Sequence, residues 1–299
     1  MTPAVSATTA APVARSTSGT RRFLRRLVRH RAGLVGAALV VVMVLGGLLA
    51  PWITPYDPVD INMEEALQPP NASHWLGTDP FGRDVLSRVL HGARFSLEVG
   101  VVSRLIALLI GAFLGMLAGY FGGRADQVVM RLADVTLAYP GLLLLIAVMA
   151  AVGPGKTALF VALGCVGWAG VARLVRAQVL AIKEREYVLA IRSIGASHSA
   201  IIARHVLPNV VTPLLVIFSM GLGASIMAES SLSFLGLGAQ PPRPSWGSMI
   251  ASGLDYLRVA PWLSLAPGLV VSLAVLGFNL LGDALRDLLD PKLGSSARR

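Results

Sequence analysis

The segment AGLVGAALVVVMVLGGLLAPWI, Ala32–Ile53, runs for 22 residues without a charge. At about 1.5 Å per helical residue it reaches about 33 Å, enough to cross a hydrocarbon layer about 30 Å thick. Outward from it, the same character recurs. Leu105–Gly123, Val135–Gly155, Val206–Ala228 and Val259–Gly282 are also free of charge. Thr157–Ala172 is short at 16 residues, and Arg173 and Arg176 extend it if their stems snorkel to the interface. Six such stretches predict an all-α, polytopic membrane protein with six transmembrane helices.

The composition agrees. Of 299 residues, 55% are hydrophobic and only 14% charged, with a mean hydropathy of +0.68. A soluble domain carries about 25% charged residues to keep its surface wet. The single cysteine, Cys165, excludes a disulfide scaffold, and the apolar content excludes a disordered chain. The net charge of +10 raises nucleic acid as a partner until the charges are located. With the N-terminus inside, the inner segments hold nineteen basic residues, against six on the outer ones (Arg83, Arg88, Arg94, Lys156, Arg243 and Arg258). Positive charge collects on the cytoplasmic side. The chain is therefore read as N-in and C-in, in the inner or plasma membrane of a prokaryotic cell, with lipid as its surroundings and no nucleic-acid partner.

Residues 1–31 read as a basic cytoplasmic tail, disordered where Ala, Ser, Thr and Pro dominate. Thr20–Arg25 resembles a twin-arginine signal, but the apolar run that follows is too long for a signal core, so 32–53 reads as an uncleaved anchor. Residues 54–96 form a proline-rich outer segment. It leads into an amphipathic stretch, Arg83–Leu97, expected on the membrane surface with Val85, Leu86, Val89 and Leu90 in lipid and Arg83, Asp84, Ser87 and Arg88 in water. Residues 97–283 are the transmembrane core and 284–299 a cytoplasmic tail. Gly111, Gly115 and Gly119 recur every four residues, a smooth stripe for close helix packing, either within the chain or against a partner.

Several chemistries lack their residues. Gly155-Lys156-Thr157 looks like the end of a phosphate loop, but Ala150 stands where its first glycine belongs, and Pro154 removes a backbone donor. No nucleotide-binding site is evident, so the chain itself reads as no enzyme. The five histidines have no ligand spacing, and no metal or other cofactor is expected. Ionisable residues are nearly absent from the spans: Glu229, Asp283 and Arg104 sit at span ends. An ion-driven carrier keeps such groups at mid-depth despite their cost of at least ~2.5–3.5 kcal/mol each. What remains is an uncharged pathway powered from elsewhere.

The longest inner connection, 183–208, is no featureless linker. Lys183–Ile194 has helix-forming composition, with Val188, Ile191 and Ile194 near helical spacing. Gly195 interrupts it. Ser197 can cap a second short helix that carries Ile201, Ile202 and Val206 on one face. Leu207-Pro208 then suits the first turn of the fifth span. A helix–glycine–helix elbow projecting inward suits a protein socket; an amphipathic loop resting on lipid headgroups is the alternative.

Glu186-Tyr187-Val188-Leu189-Ala190-Ile191-Arg192-Ser193-Ile194-Gly195-Ala196, followed by Arg204-His205-Val206-Leu207-Pro208-Asn209, resembles the "EAA" coupling loop of ABC importer permeases. It departs from that pattern at Ile191, where alanine is usual, and at Leu189, where many importers have glutamate. Four further stretches resemble the dipeptide/oligopeptide/nickel branch, and its "C"-type second permease: Gly77–Val85 with Gly92-Ala93-Arg94, Glu229–Gly238, Pro244–Gly247, and Gly282–Asp287 through Asp290-Pro291-Lys292. The resemblance covers about residues 22–293. It implies a type I importer permease fold, paired with a second homologous permease subunit, two cytoplasmic ATPase subunits that hold the ATP and Mg, and an external solute-binding protein. It further implies that Glu186, Tyr187, Ala190, Gly195, Ala196, Leu207 and Pro208 couple the chain to an ATPase subunit, and that the cargo is a peptide. Nickel chelates, opines and glutathione use similar permeases. A passive pore or a membrane scaffold is the reading from another class, and neither has use for the elbow. Ser219, Ser225 and Ser272 are candidate lining of a wide polar path.

Overall fold

The structure is a computed structural model, and residues 30–289 are described. The expectations for the basic tail and for the residues beyond 289 lie outside that range. Helix α1, Arg31–Ile53, crosses first, capped at its start by His30, whose Nδ1 accepts from the Gly33 amide at 3.1 Å. An outer segment with a short 3₁₀ turn, Met63–Glu65, leads to α2, Val85–Phe121. Then come α3 (Gly123–Ala138), α4 (Gly141–Val152), α5 (Lys156–Lys183), α6 (Glu186–Ser193), α7 (His198–Ile201), α8 (Leu207–Phe234), α9 (Trp246–Gly253) and α10 (Trp262–Leu289). Five helices are long and apolar enough to cross a membrane singly, and α3 with α4 makes a sixth span broken by a 97° bend.

That bend corrects the expected straight span Val135–Gly155. Tyr139 is extended, as a residue before proline prefers, and Pro140 starts a new helix in a new direction. The fourth span is longer than its 16-residue apolar run. Arg173 and Arg176 pair with Asp134 and Asp126 on α3, and α5 runs on to Lys183. His30 lies 3.4 Å from Asp287, placing the first and last helices' inner ends together, as an N-in, C-in chain requires. Helix α10 runs on to Leu289, so the first residues expected in a tail are helical.

The amphipathic stretch 83–97 is not a separate surface helix. Asp84 caps α2 through the Ser87 amide at 2.7 Å, no proline interrupts, and one helix of 37 residues results, about 55 Å long. Both faces of its first turns are covered: Val85 and Val89 are buried, and so are Asp84, Ser87 and Arg88, which were expected in water. The covering comes from the outer segment and from Trp246, whose indole donates to the Val89 carbonyl at 3.0 Å. Arg104 consequently sits mid-helix rather than at a span mouth, donating to the Ile217 carbonyl of α8 at 2.8 Å.

The Gly111, Gly115 and Gly119 stripe packs inside the chain, against α5. A Cβ at Gly115 would lie 2.5 Å from the Ala172 carbonyl oxygen, and one at Gly111 would lie 2.6 Å from that of Trp168. Only a hydrogen fits there, so α2 and α5 approach closely along the stripe.

Candidate functional site

At the inner end, Lys183 closes α5 and its ammonium donates to the Gly119 carbonyl at 2.9 Å, anchoring the start of the elbow to the end of α2. The first helix is shorter than its composition predicts, Glu186–Ser193, because the chain breaks at Glu184-Arg185. Glu186 in its first turn and Arg192 in its last complement the helix dipole. Gly195 then takes φ +84°, a left-handed conformation that costs a residue with a Cβ. Its amide donates to the Arg192 carbonyl at 3.1 Å, and the Ala196 amide to that of Ile191 at 3.3 Å. This pair of bonds is a Schellman closure, which fixes the exit direction of the chain. Ser197 caps α7 by accepting from the Ala200 amide at 3.4 Å.

The fifth span does not begin afresh at Leu207-Pro208. Helix continues from His198 to Phe234, with a π turn at Ile202–Val206 just before the proline. Pro208 has no amide to give and its ring crowds the carbonyl one turn back, so widening that turn keeps the helix whole. Asn209 Nδ2 donates to the His205 carbonyl at 2.7 Å, adding a side-chain bond across that turn.

The elbow has two faces. Val188, 3% exposed, packs with Ile201, Val206 and Val210 against Val175, Val179 and Ile182 of α5. Each such side chain contributes about 1.5–3 kcal/mol when fully buried, so the elbow is bolted to the bundle. Glu186, Tyr187, Ala190 and Ile194 share the opposite face at helical spacing, and all are exposed. Gly195, Leu207 and Pro208 are exposed too, while Ala196 is half-buried against the core. The expected apolar row Val188–Ile191–Ile194 is thus split. The helix ends at Ser193, and the turn at Gly195 leaves Ile194 84% exposed. Ile194 is a functional candidate that the spacing alone does not separate from Val188 and Ile191.

A cavity of about 820 Å³ opens between α4, α8, α9 and α10. Its polar lining is Ser230, Ser231, Ser272 and Asn279, and its apolar walls include Leu142, Met227, Val271 and Leu276. Ser272 was expected there. Ser219 is elsewhere, its hydroxyl spent on the Leu215 and Val216 carbonyls of its own helix, and Ser225 is not among the lining residues. Ser230 and Ser231 lie inside the quoted Glu229–Gly238 stretch, which is the signal that could have found them. Glu229, placed by hydropathy at a span end, lies within α8 and is fully buried, accepting from the Ser233 hydroxyl at 2.7 Å.

The outer end is a polar knot around Gly77–Asp84. The Asp79 carboxylate accepts from the Phe81 and Arg83 amides at 2.8 and 3.0 Å and from Arg83 Nε at 2.7 Å. Buried Asp84 also holds His74 at 2.9 Å. Ser245 caps α9 with a reciprocal bond to Ser248, seating the fully buried Trp246. Lys156, the residue of the apparent phosphate loop, is paired with Glu98 at 2.5 Å.

Comparison with known proteins gives this geometry a family. Residues 111–295 match the binding-protein-dependent transport system inner membrane component family, and residues 18–70 match the N-terminal transmembrane domain of oligopeptide transport permease C. A glutathione transport system permease protein of Pectobacterium atrosepticum is 44% identical over 92% of this chain and 92% of its own length. A dipeptide transport system permease protein of Bacillus subtilis is 43% identical, over 93% of this chain and 87% of the relative. A di/tripeptide transport system permease protein of Pseudomonas aeruginosa is 42% identical over 93% of each.

Proposed function

Because the chain belongs to the binding-protein-dependent transport system inner membrane component family, we propose that it is the membrane-spanning permease subunit of an ATP-driven importer of di- and oligopeptides, handed over by an external solute-binding protein. The observation that carries this reading is the two-faced elbow, bolted to α5 through Val188, Ile201 and Val206 while Tyr187, Ala190 and Ile194 stand free on the inner side.

In this reading the free face seats on one of two cytoplasmic ATPase subunits. ATP and Mg reside there, and the present chain carries out no phosphate chemistry. A second homologous permease subunit completes the path, of which the Ser230–Ser231–Ser272–Asn279 cavity is this chain's share. Peptides share a backbone and two charged ends but vary in side chain. Hydroxyls and amides on an otherwise apolar wall pass them without a tight fit, which leaves selection to the binding protein. Closure of the ATPase pair moves the elbow, and the bundle follows as a rigid body between inward- and outward-facing states.

Glutathione is a second reading, favoured by the Pectobacterium relative. The test is uptake into proteoliposomes containing both permeases, the ATPase subunits and the binding protein, with labelled dipeptide, tetrapeptide, glutathione or Ni²⁺ outside. Peptide uptake that requires ATP and the binding protein is the expected result. Nickel uptake alone overturns the substrate, and ATP hydrolysis or solute movement by this chain alone overturns the mechanism.

A further inference from the structure

A second recess, of about 390 Å³, lies at the outer end of the bundle. One wall is a single face of α2, where His91, Arg94, Phe95 and Glu98 recur at helical spacing. Lys156 at the start of α5 and Arg243 before α9 supply the other charges, and Pro58, Val59 and Pro244 complete the lining.

Its charge is unbalanced. Three cationic side chains line it with one carboxylate, Glu98, and that carboxylate is already paired with Lys156 at 2.5 Å. Two other outer arginines are satisfied within the chain, Arg83 by Asp79 at 2.7 Å and Arg88 by the Pro58 carbonyl at 2.7 Å, and Arg258 lies outside the recess. Among the described residues, Arg94 and Arg243 have no ion pair and no side-chain hydrogen bond. Both are exposed, and both open into the same recess.

We propose that this recess is where the external solute-binding protein docks, inserting one Asp or Glu carboxylate from its surface between Arg94 and Arg243. The proposal rests on the importer reading above and adds the place and chemistry of contact. Three features select that occupant. The anion wanted is a carboxylate, which two guanidiniums hold by paired N–H donors. Exposed helix faces elsewhere are largely apolar, Leu265 and Leu269 on α10 among them, whereas this recess is lined by charge. A partner that must dock and leave in every cycle gains from water-accessible ion pairs, which speed encounter more than they prolong residence.

The experiment uses the complete transporter in nanodiscs with its own binding protein, reading the binding-protein concentration that gives half-maximal ATPase stimulation. Arg243→Glu and Arg94→Glu should each raise it about tenfold, with the maximal rate regained at saturation. Added salt should weaken docking to the wild type and, by screening the new repulsion, strengthen it for the doubly substituted complex. An Asp→Lys or Glu→Lys change on the binding protein should restore Arg243→Glu and harm the wild type. A photo-crosslinker at Val59, in the lining, should capture the binding protein. Half-maximal concentrations within about twofold of wild type overturn the proposal, as does a crosslink to the second permease or a dependence on anionic lipid instead. In those cases a wild-type complex that still imports peptide leaves the importer reading standing. A wild-type complex that ignores the binding protein altogether overturns both.

Discussion

At the outer end, one carboxylate, Asp79, takes two amides and a guanidinium, Asp84 holds both a helix start and His74, and two indoles reach across to backbone carbonyls. At the inner end, the elbow is held by aliphatic side chains on one face and by a handful of backbone bonds at Gly195. The knot around Gly77–Asp84 ties its carboxylates to partners within the chain. The inner end spends its apolar residues on the bundle and leaves a second face unspent. Directional bonds to many partners fix a shape, whereas a part that must transmit movement needs a firm root and an open surface. The two ends differ as a frame differs from a handle.

The sharpest break of this contrast is in the frame's spine. Gly115→Leu drives a side chain into the Ala172 backbone, which cannot yield, so folded protein should be lost from the monodisperse peak in detergent size-exclusion chromatography. Trp246→Ala empties a fully buried site and orphans its bond to Val89; it should cost about 3–5 kcal/mol in denaturant unfolding. Gly195→Ala forces a Cβ into the left-handed region at a cost of about 1 kcal/mol. Gly195→Pro should spare membrane assembly yet raise the ATP consumed per peptide imported, and normal coupling in that variant removes the handle from the mechanism. Smallest for the fold is Ile194→Ser, within about 0.5 kcal/mol because the side chain is exposed. In the assembled transporter the same change should lower uptake and recovery of the ATPase subunit on affinity purification. Unchanged recovery would mean the free face is only a surface.

The spans and the elbow were legible in the sequence because hydropathy reports depth and glycine reports turns. Direction was not. No window average distinguishes a straight Val135–Gly155 from the actual bend at Tyr139-Pro140, since hydropathy carries no direction. The burial of Arg88 was hidden for a related reason: its alternation with Val85 and Val89 looks amphipathic until a cap from residues 54–84 covers the polar side. Pairings such as Arg176 with Asp126, separated by 50 positions, exist only once α3 and α5 lie side by side. At the site, the motif residues Glu186, Tyr187, Ala190 and Gly195 lie on the exposed surface of the elbow, whereas the spacing of Val188, Ile191 and Ile194 gives no sign that Ile194 parts from the other two, because the helix stops one residue before it.

The uninterrupted helix from His198 to Phe234 carries a further consequence. It is a single connecting rod about 55 Å long, rooted beside the elbow and ending where Ser230 and Ser231 meet the cavity. A tilt of about 5° at the inner end sweeps the far end through about 5 Å, roughly one turn of helix. On the proposed coupling, no relay of side chains is needed for the cytoplasm to reshape the cavity wall, because elbow and cavity lie at opposite ends of one helix.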